Sequence, residues 1–468
     1  MKEESRGRYL FKNTAIFAIG NMGTKLINFF MVPLYTYALT TSEYGTINSL
    51  LSICYILVPL VMCNISEAVR RYLLDKNADI YGIQTVEFIW CCFGLVVSVI
   101  MFVILRLIPG TADYAGLMSL YVFFNALVIT CLDYLRGKEL LHLYTFCSLL
   151  QTFVVAALNI YFLVYLHKGV EGYLFSYVLA YAICAFLAFV LGGQFQDLKH
   201  VHFEKEIFIE MSKFSLTLVP NSLLWWITNA SDKLMVTYFI SAAANGIYSI
   251  STKLPTMLST MNTVLMQAWQ YSAIKECDAS DKVEYNNRMY QLYVATVSVV
   301  GAGLLLINRP FMQLYVSPEF REAWLYSPFL ILGSVFSTLG TFVGTSYYVE
   351  KDMKGNLKSA FVGALVNIIL NFLLIPTMGI TGAAIATCTS YLAVLIFRII
   401  DTRKYLPIDA MTPYSMRLLA VMLYMLACSY VNGILSYLLL SIGMCAVLFL
   451  TRQYYIDFMK KIIGKMKR

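Results

Sequence analysis

Three lysines, Lys25, Lys233 and Lys253, lie inside long apolar runs of this chain, where an ammonium needs water or a partner of opposite charge. Lys25 stands about twelve residues into its run, roughly 18 Å deep at 1.5 Å per helical residue. A charge at that depth costs at least about 3 kcal/mol on insertion scales, so Lys25 is expected to face a wet cavity. Lys253 lies about seven residues from the end of its run, and Lys233 is near enough to an end to snorkel. A second set offers oxygen. Asp232 sits well inside an apolar run, Asn367 and Asn371 are one helical turn apart on one face, and Thr387 and Thr389 share a later run. One carboxylate, two amides and a hydroxyl suit a hard cation such as sodium, and inter-helix hydrogen bonding is their plainer use. Trp225 and Trp226 lie mid-run, where their rings could stack on sugars or fill a core.

These residues are positioned by fourteen apolar runs, near 13–38, 45–66, 84–105, 114–132, 143–166, 172–193, 214–240, 246–272, 289–308, 323–348, 359–377, 380–400, 414–431 and 433–450. Each is long enough to cross a hydrocarbon core, which takes about 20 helical residues. Basic residues fall in every second gap: 28 of the 35 lysines and arginines lie on one face with both termini, and only Arg106, Lys168, Arg309 and Arg321 on the other. By the positive-inside rule both termini are expected in the cytoplasm. The net charge of +8 is thereby spread over short loops, which argues against a nucleic-acid partner.

The composition agrees, with 59% hydrophobic and 13% charged residues against about a quarter charged in soluble proteins. The chain reads as an all-α, multi-pass integral membrane protein. The first run is too long for a signal-peptide core and is expected to stay in the mature protein. All cysteines but Cys277 lie in apolar runs without metal spacing and are expected to be buried. His200 and His202 could be a metal pair, but beside Glu204, Lys205 and Glu206 they read better as a solvated loop; no metal site and no cofactor are expected. No glycine loop of the phosphate-cradling kind is present.

An internal duplication organises the runs. Gly45 and Gly246 open helices after similar polar turns, 201 residues apart; Gly169-Val170-Glu171-Gly172 and Gly379-Ile380-Thr381-Gly382 do so 210 apart, with Tyr181 and Tyr391 in step. Runs 7–12 thus repeat runs 1–6 in parallel, and a substrate path is expected where such halves meet. The expected divisions are 1–193 and 214–400 as six-helix bundles, 194–213 as a cytoplasmic linker, 413–451 as two further spans and 452–468 as a basic tail. Pro33, Pro59, Pro220 and Pro255 are expected to interrupt the first two helices of each half.

The opening Leu10-Phe11-Lys12-Asn13-Thr14, then Gly20, Lys25, Phe29, Pro33-Leu34-Tyr35-Thr36, Leu39 and Glu43-Tyr44-Gly45, resembles the start of the bacterial polysaccharide transporters, the O-antigen and capsule repeat-unit flippases. That family belongs to the multidrug/oligosaccharidyl-lipid/polysaccharide exporter superfamily. The resemblance implies a MATE-like, V-shaped fold that flips undecaprenyl-diphosphate-linked oligosaccharide from the inner to the outer leaflet of the plasma membrane. It also implies a cationic cavity to which Lys25 and Lys253 contribute, with Lys233 a further candidate from its own place in an apolar run, a cation site at Asp232, Asn367, Asn371 and Thr387, and coupling to Na+ or H+. Implied partners are membrane lipids, a polysaccharide polymerase and glycosyltransferases. Lysines stand where the related lipid II flippases carry arginines, which removes bidentate contact with phosphate. A cation-coupled drug antiporter is the alternative within transport, although such antiporters place acidic residues in the first half. A membrane enzyme such as a polymerase is disfavoured, because the longest outer gap runs only from about Arg309 to Glu322.

Overall fold

The computed structural model describes residues 23–75, 77–197, 200, 202–275, 282–350, 352–409 and 411–466. The opening motif before Gly23, Cys277 and the extreme C-terminus lie outside these. Among the described residues the regular structure is helical throughout, with no strand. Ten helices are long and apolar enough to cross a membrane. Each coincides with one of the fourteen apolar runs.

The other four runs are not among these ten. The first is described from residue 23, where α1 spans 23–38. The seventh is the C-terminal three-quarters of a 35-residue helix, α9 (Lys205–Phe239), diluted by polar residues. The eighth is split at Thr252 into α10 (Ala242–Ser251) and α11 (Lys253–Lys275). The thirteenth is the short α16 (Pro413–Cys428). Three of these four carry Lys25, Lys233 and Lys253.

By contact density the chain divides into unit 1, Met1–Trp226, and unit 2, Ile227–Arg468. In unit 1, α5 (Ala115–Gly137) packs against α2 (Thr41–Val61), α3 (Ile65–Leu73), α4 (Ile80–Leu107) and α7 (Gly169–Leu191), with α6 (Leu141–Asn159) beside α7. In unit 2, α13 (Ser327–Val349) and α14 (Met353–Met378) pack on α15 (Ile380–Asp401), and α12 (Lys282–Tyr315) on α17 (Ile434–Met466). α13 is the most buried span because small residues line it. A Cβ on Gly333 would lie 3.0 Å from the Cα of Cys388, so glycine lets α15 approach backbone to backbone. The outer face of α4 is the opposite case: Leu95, Val96, Val99, Ile100, Val103 and Leu107 are exposed, as suits contact with lipid. The segment expected as a linker, 194–213, includes the short α8 (Gln194–Asp197) and the first turns of α9.

The turns matched in the sequence share local chemistry. Thr40 caps α2, its hydroxyl accepting from the Glu43 amide at 3.2 Å while Glu43 accepts from the Thr40 amide at 2.9 Å. Ser241, 201 positions on, caps α10 by accepting from the Ala244 amide at 3.1 Å. Gly169 and Gly379, the second matched pair, have φ of 49° and 63°, a left-handed turn that a side chain resists.

Two expectations need correction. Of the four prolines, Pro33 and Pro220 lie within unbroken helix, and Pro255 sits in the first turn of α11, where its missing N–H costs nothing. Only Pro59 precedes a break, at Met62–Asn64, where Cys63 and Asn64 take φ of 48° and 56°. The Asn64 amide spans that break by donating to the Ser222 hydroxyl at 3.0 Å. The cysteines are not uniformly buried either: Cys92 and Cys445 are exposed on apolar helix faces, where a small thiol meets lipid at little cost.

Candidate functional site

In unit 2 the oxygen-bearing residues converge on Asp232, which α9 carries. Its Oδ2 accepts from Thr387 on α15 at 2.6 Å and from the Tyr248 hydroxyl on α10 at 2.8 Å. Its Oδ1 accepts from the Asn371 amide on α14 at 3.2 Å. Asn371 also donates to Asn367 Oδ1, one turn away, at 3.0 Å, and the Ser231 hydroxyl approaches that same oxygen at 3.4 Å. Asp232, Asn367, Asn371, Thr387 and Tyr248 are all more than nine-tenths buried. The cluster thus joins α9, α10, α14 and α15 through one carboxylate whose direct hydrogen-bond donors are all neutral. Asn371 Oδ1 and Asn367 Nδ2 are buried without a hydrogen-bond partner. An apolar core of Val236, Ala244, Leu330, Ile375 and Ile380 packs around the Tyr248 ring and fixes where its hydroxyl points.

Tyr248 and Ser231 were not singled out from the sequence. The only signal available was the capped turn at Ser241, which sends the chain back along α9 and brings Tyr248 level with Asp232.

The lysines are placed differently. Lys233, next to Asp232, and Lys253, at the start of α11, are partly buried, and Lys233 feels both the repulsion of Lys253 and the attraction of Asp232. Neither makes an ion pair among the described residues. Lys25 in unit 1 is exposed on α1, also without an ion pair. The Trp226 indole N–H donates to the Ser52 carbonyl at 2.5 Å, so its edge is committed to α2 and only its faces are available. The Trp225 side chain lies outside the described residues. His200 packs on the Tyr81 ring, whereas His202 pairs with Asp79 at 2.8 Å on an exposed face near Glu204, so the two histidines hold different partners.

Asp232 is also not alone as a buried carboxylate. Glu87 on α4 is 4% exposed and has both oxygens bonded to the Gln194 amide at 3.0 Å, with no cation paired to it among the described residues. Its place at the edge of an apolar run disguised it as a headgroup-level residue.

Comparison with known proteins places this arrangement. The chain is 21% identical over 423 residues to an uncharacterised membrane protein of Methanocaldococcus jannaschii, covering 85% of this chain and 99% of that one. It is 22% identical over 353 residues to Lsg locus protein 1 of Haemophilus influenzae, covering 72% and 79%. Among solved structures, the lipid II flippase MurJ in an inward closed conformation is similar with a TM-score of 0.72 at 12% identity, over 96% of this chain and 100% of that chain. An inward-facing multidrug transporter of the MATE family is similar with a TM-score of 0.61 at 11% identity, over 82% and 93%. At these identities the likeness shows a common all-α fold. Residues 10–271, more than half of the chain, match the family described as polysaccharide biosynthesis protein, and the chain belongs to that family.

Proposed function

We propose that this protein is a flippase that moves undecaprenyl-diphosphate-linked oligosaccharide from the inner to the outer leaflet of a bacterial plasma membrane by alternating access, with both termini in the cytoplasm. The observation that carries the reading is that Lys233 and Lys253, partly buried within apolar runs of unit 2, make no ion pair among the described residues. Two such ammonium groups are stabilised by a multiply charged anion, and a diphosphate offers the matching charge. Lys25, exposed on α1, supplies a third cation in unit 1. An antiporter of cationic drugs would be repelled by the same three charges.

The Asp232 cluster supports cation coupling. A carboxylate, two side-chain amides and hydroxyls form the donor set of a hard monovalent cation, and the buried Asn371 oxygen without a donor fits a ligand role. Asp232, Asn367, Asn371 and Thr387 would hold sodium, with Tyr248 beside them; when bound, the ion supplies the positive charge that links transport to a gradient. Export of the product to a polymerase, after glycosyltransferases have built it, completes the role.

Complementation tests this. In a deletion strain, Lys25→Ala with Lys253→Ala should abolish surface glycan while the protein still reaches the membrane, and arginine at both positions should retain it, since a point cation suffices for Coulomb attraction. Normal glycan in the double alanine variant would sink the cavity reading.

A further inference from the structure

Unit 1 holds a feature that neither the lysines nor the cation cluster explains: seven tyrosines from four helices gathered around one another. Tyr173, Tyr177 and Tyr181 recur every fourth residue along one face of α7. Their rings lie 4.9 Å and 5.7 Å apart in succession. Tyr35 on α1 stacks edge-on against Tyr173 at 5.3 Å, and Tyr121 on α5 lies 6.0 Å from Tyr177 and 5.4 Å from Tyr181. Tyr44 and Tyr55 join from α2, both within electrostatic reach of Tyr177. The Tyr173 hydroxyl donates to that of Tyr177 at 3.2 Å, and the Asn159 amide to that of Tyr35 at 3.2 Å.

Simple packing does not require this composition. Phenylalanine would fill the same volume without burying hydroxyls, each of which costs free energy unless it finds a partner. Here the cost is incompletely offset: the Tyr121 hydroxyl and Asn159 Oδ1 are buried without a hydrogen bond of ordinary geometry. Five of the rings are buried, but Tyr177 is only partly so and Tyr55 is 51% exposed, so the cluster opens to the surface of unit 1 at these two. Trp226 meets α2 at Ser52, one turn from Tyr55, and adds a third ring to that opening.

The duplication shows what this surface replaces. With the 210-residue offset, Tyr177 occupies the position of Thr387, and with the 201-residue offset Met31 occupies that of Asp232. Where unit 2 has a charged, oxygen-rich site for a small cation, unit 1 has neutral rings bearing hydroxyls.

We propose that Tyr55 and Tyr177, with Trp226 beside them, bind the sugar portion of the substrate, while Tyr173, Tyr181, Tyr121 and Tyr35 position their rings and hydroxyls. This rests on the flippase reading above and names the part of the substrate read by unit 1. An uncharged glycan presents C–H faces that pack on aromatic rings and hydroxyls that both donate and accept, which is what a phenol offers in return. The placement of Lys25 agrees. Lys25, Asn28, Val32 and Tyr35 follow one another at intervals of three, four and three along one stripe of α1, with Tyr35 about 15 Å further along the axis than Lys25. That separation accommodates a diphosphate at the lysine and one or two sugar rings at the tyrosines.

The test compares two lipids on the purified full-length protein in nanodiscs: undecaprenyl diphosphate alone, and the same lipid bearing a disaccharide. Wild type should bind the glycosylated lipid about tenfold more tightly, the effect of one or two added hydrogen bonds. Tyr177→Phe and Tyr55→Phe should each narrow that ratio to about threefold and leave binding of the bare lipid unchanged. Tyr55 is half exposed, so its variant keeps the fold even where Tyr177→Phe does not. Equal binding of the two lipids by wild type, or an unchanged ratio in the variants, overturns the sugar site and leaves the flippase reading standing. Failure of wild type to bind either lipid overturns the flippase reading, and the sugar site with it.

Discussion

Replacing Asp232 by asparagine isolates the charge of the cation cluster from its shape. An amide oxygen in place of Oδ2 keeps the hydrogen bonds from Thr387 and Tyr248. The new NH2 group then faces Asn371, whose own Oδ1 has no donor, so a half-turn of the Asn371 amide pairs the two at the cost of its bond to Asn367. The fold should therefore survive. Cation affinity should not, because removing one partner of a buried charge pair costs about 3 kcal/mol or more, a factor above about 100. If wild type binds sodium with a Kd of about 1 mM, then about 100 mM sodium stabilises it by about 2.7 kcal/mol, and a hundredfold weaker variant by only about 0.4 kcal/mol. In thermal melts with sodium or choline chloride, wild type should gain about 3 to 5 °C in sodium and Asp232→Asn less than about 1 °C. Equal sodium protection of both proteins would remove Asp232 from the site.

Two further outcomes follow from the geometry. A Cβ on Gly344 would lie 2.6 Å from the Arg398 guanidinium, which is held by Ser359, the Gly340 carbonyl and Asn356, so Gly344→Ala should destabilise unit 2 by about 1 to 3 kcal/mol in the same melts. Burial alone would raise the pKa of Asp197, but hydrogen bonds from Lys138 at 2.7 Å and Tyr134 at 2.9 Å outweigh it and hold the carboxyl below its ordinary value. Its contribution is therefore present above the unfolded pKa of about 3.9 and lost as pH falls through the folded value, and Lys138→Met should flatten the acid limb of a stability profile below about pH 4.

The sequence made the hydrogen-bonded cluster around Asp232 legible because Asp232, Asn367, Asn371 and Thr387 are the wrong residues for an apolar run, and cost alone marks them. Most membrane helices were visible for the converse reason. Tyr248 escaped because tyrosine is at home in such runs, and only the turn at Ser241 aligns it with Asp232. The tyrosine cluster escaped similarly: only Tyr173, Tyr177 and Tyr181 share a local pattern, at every fourth residue of α7, and nothing local joins them to the members from α1, α2 and α5 among the 34 tyrosines. The break at Cys63–Asn64 was half visible, since Pro59 weakens the helix but the left-handed residues that end it are set by packing with Ser222.

The most direct test of the central claim is lipid flipping in proteoliposomes. Vesicles holding the purified protein, a fluorescent undecaprenyl-diphosphate oligosaccharide and a sodium gradient should show loss of inner-leaflet signal for wild type. Lys233→Ala combined with Lys253→Ala should reduce this to the rate of protein-free vesicles. Flipping by the double variant at the wild-type rate, or none by wild type under any sodium gradient or membrane potential, would contradict the account.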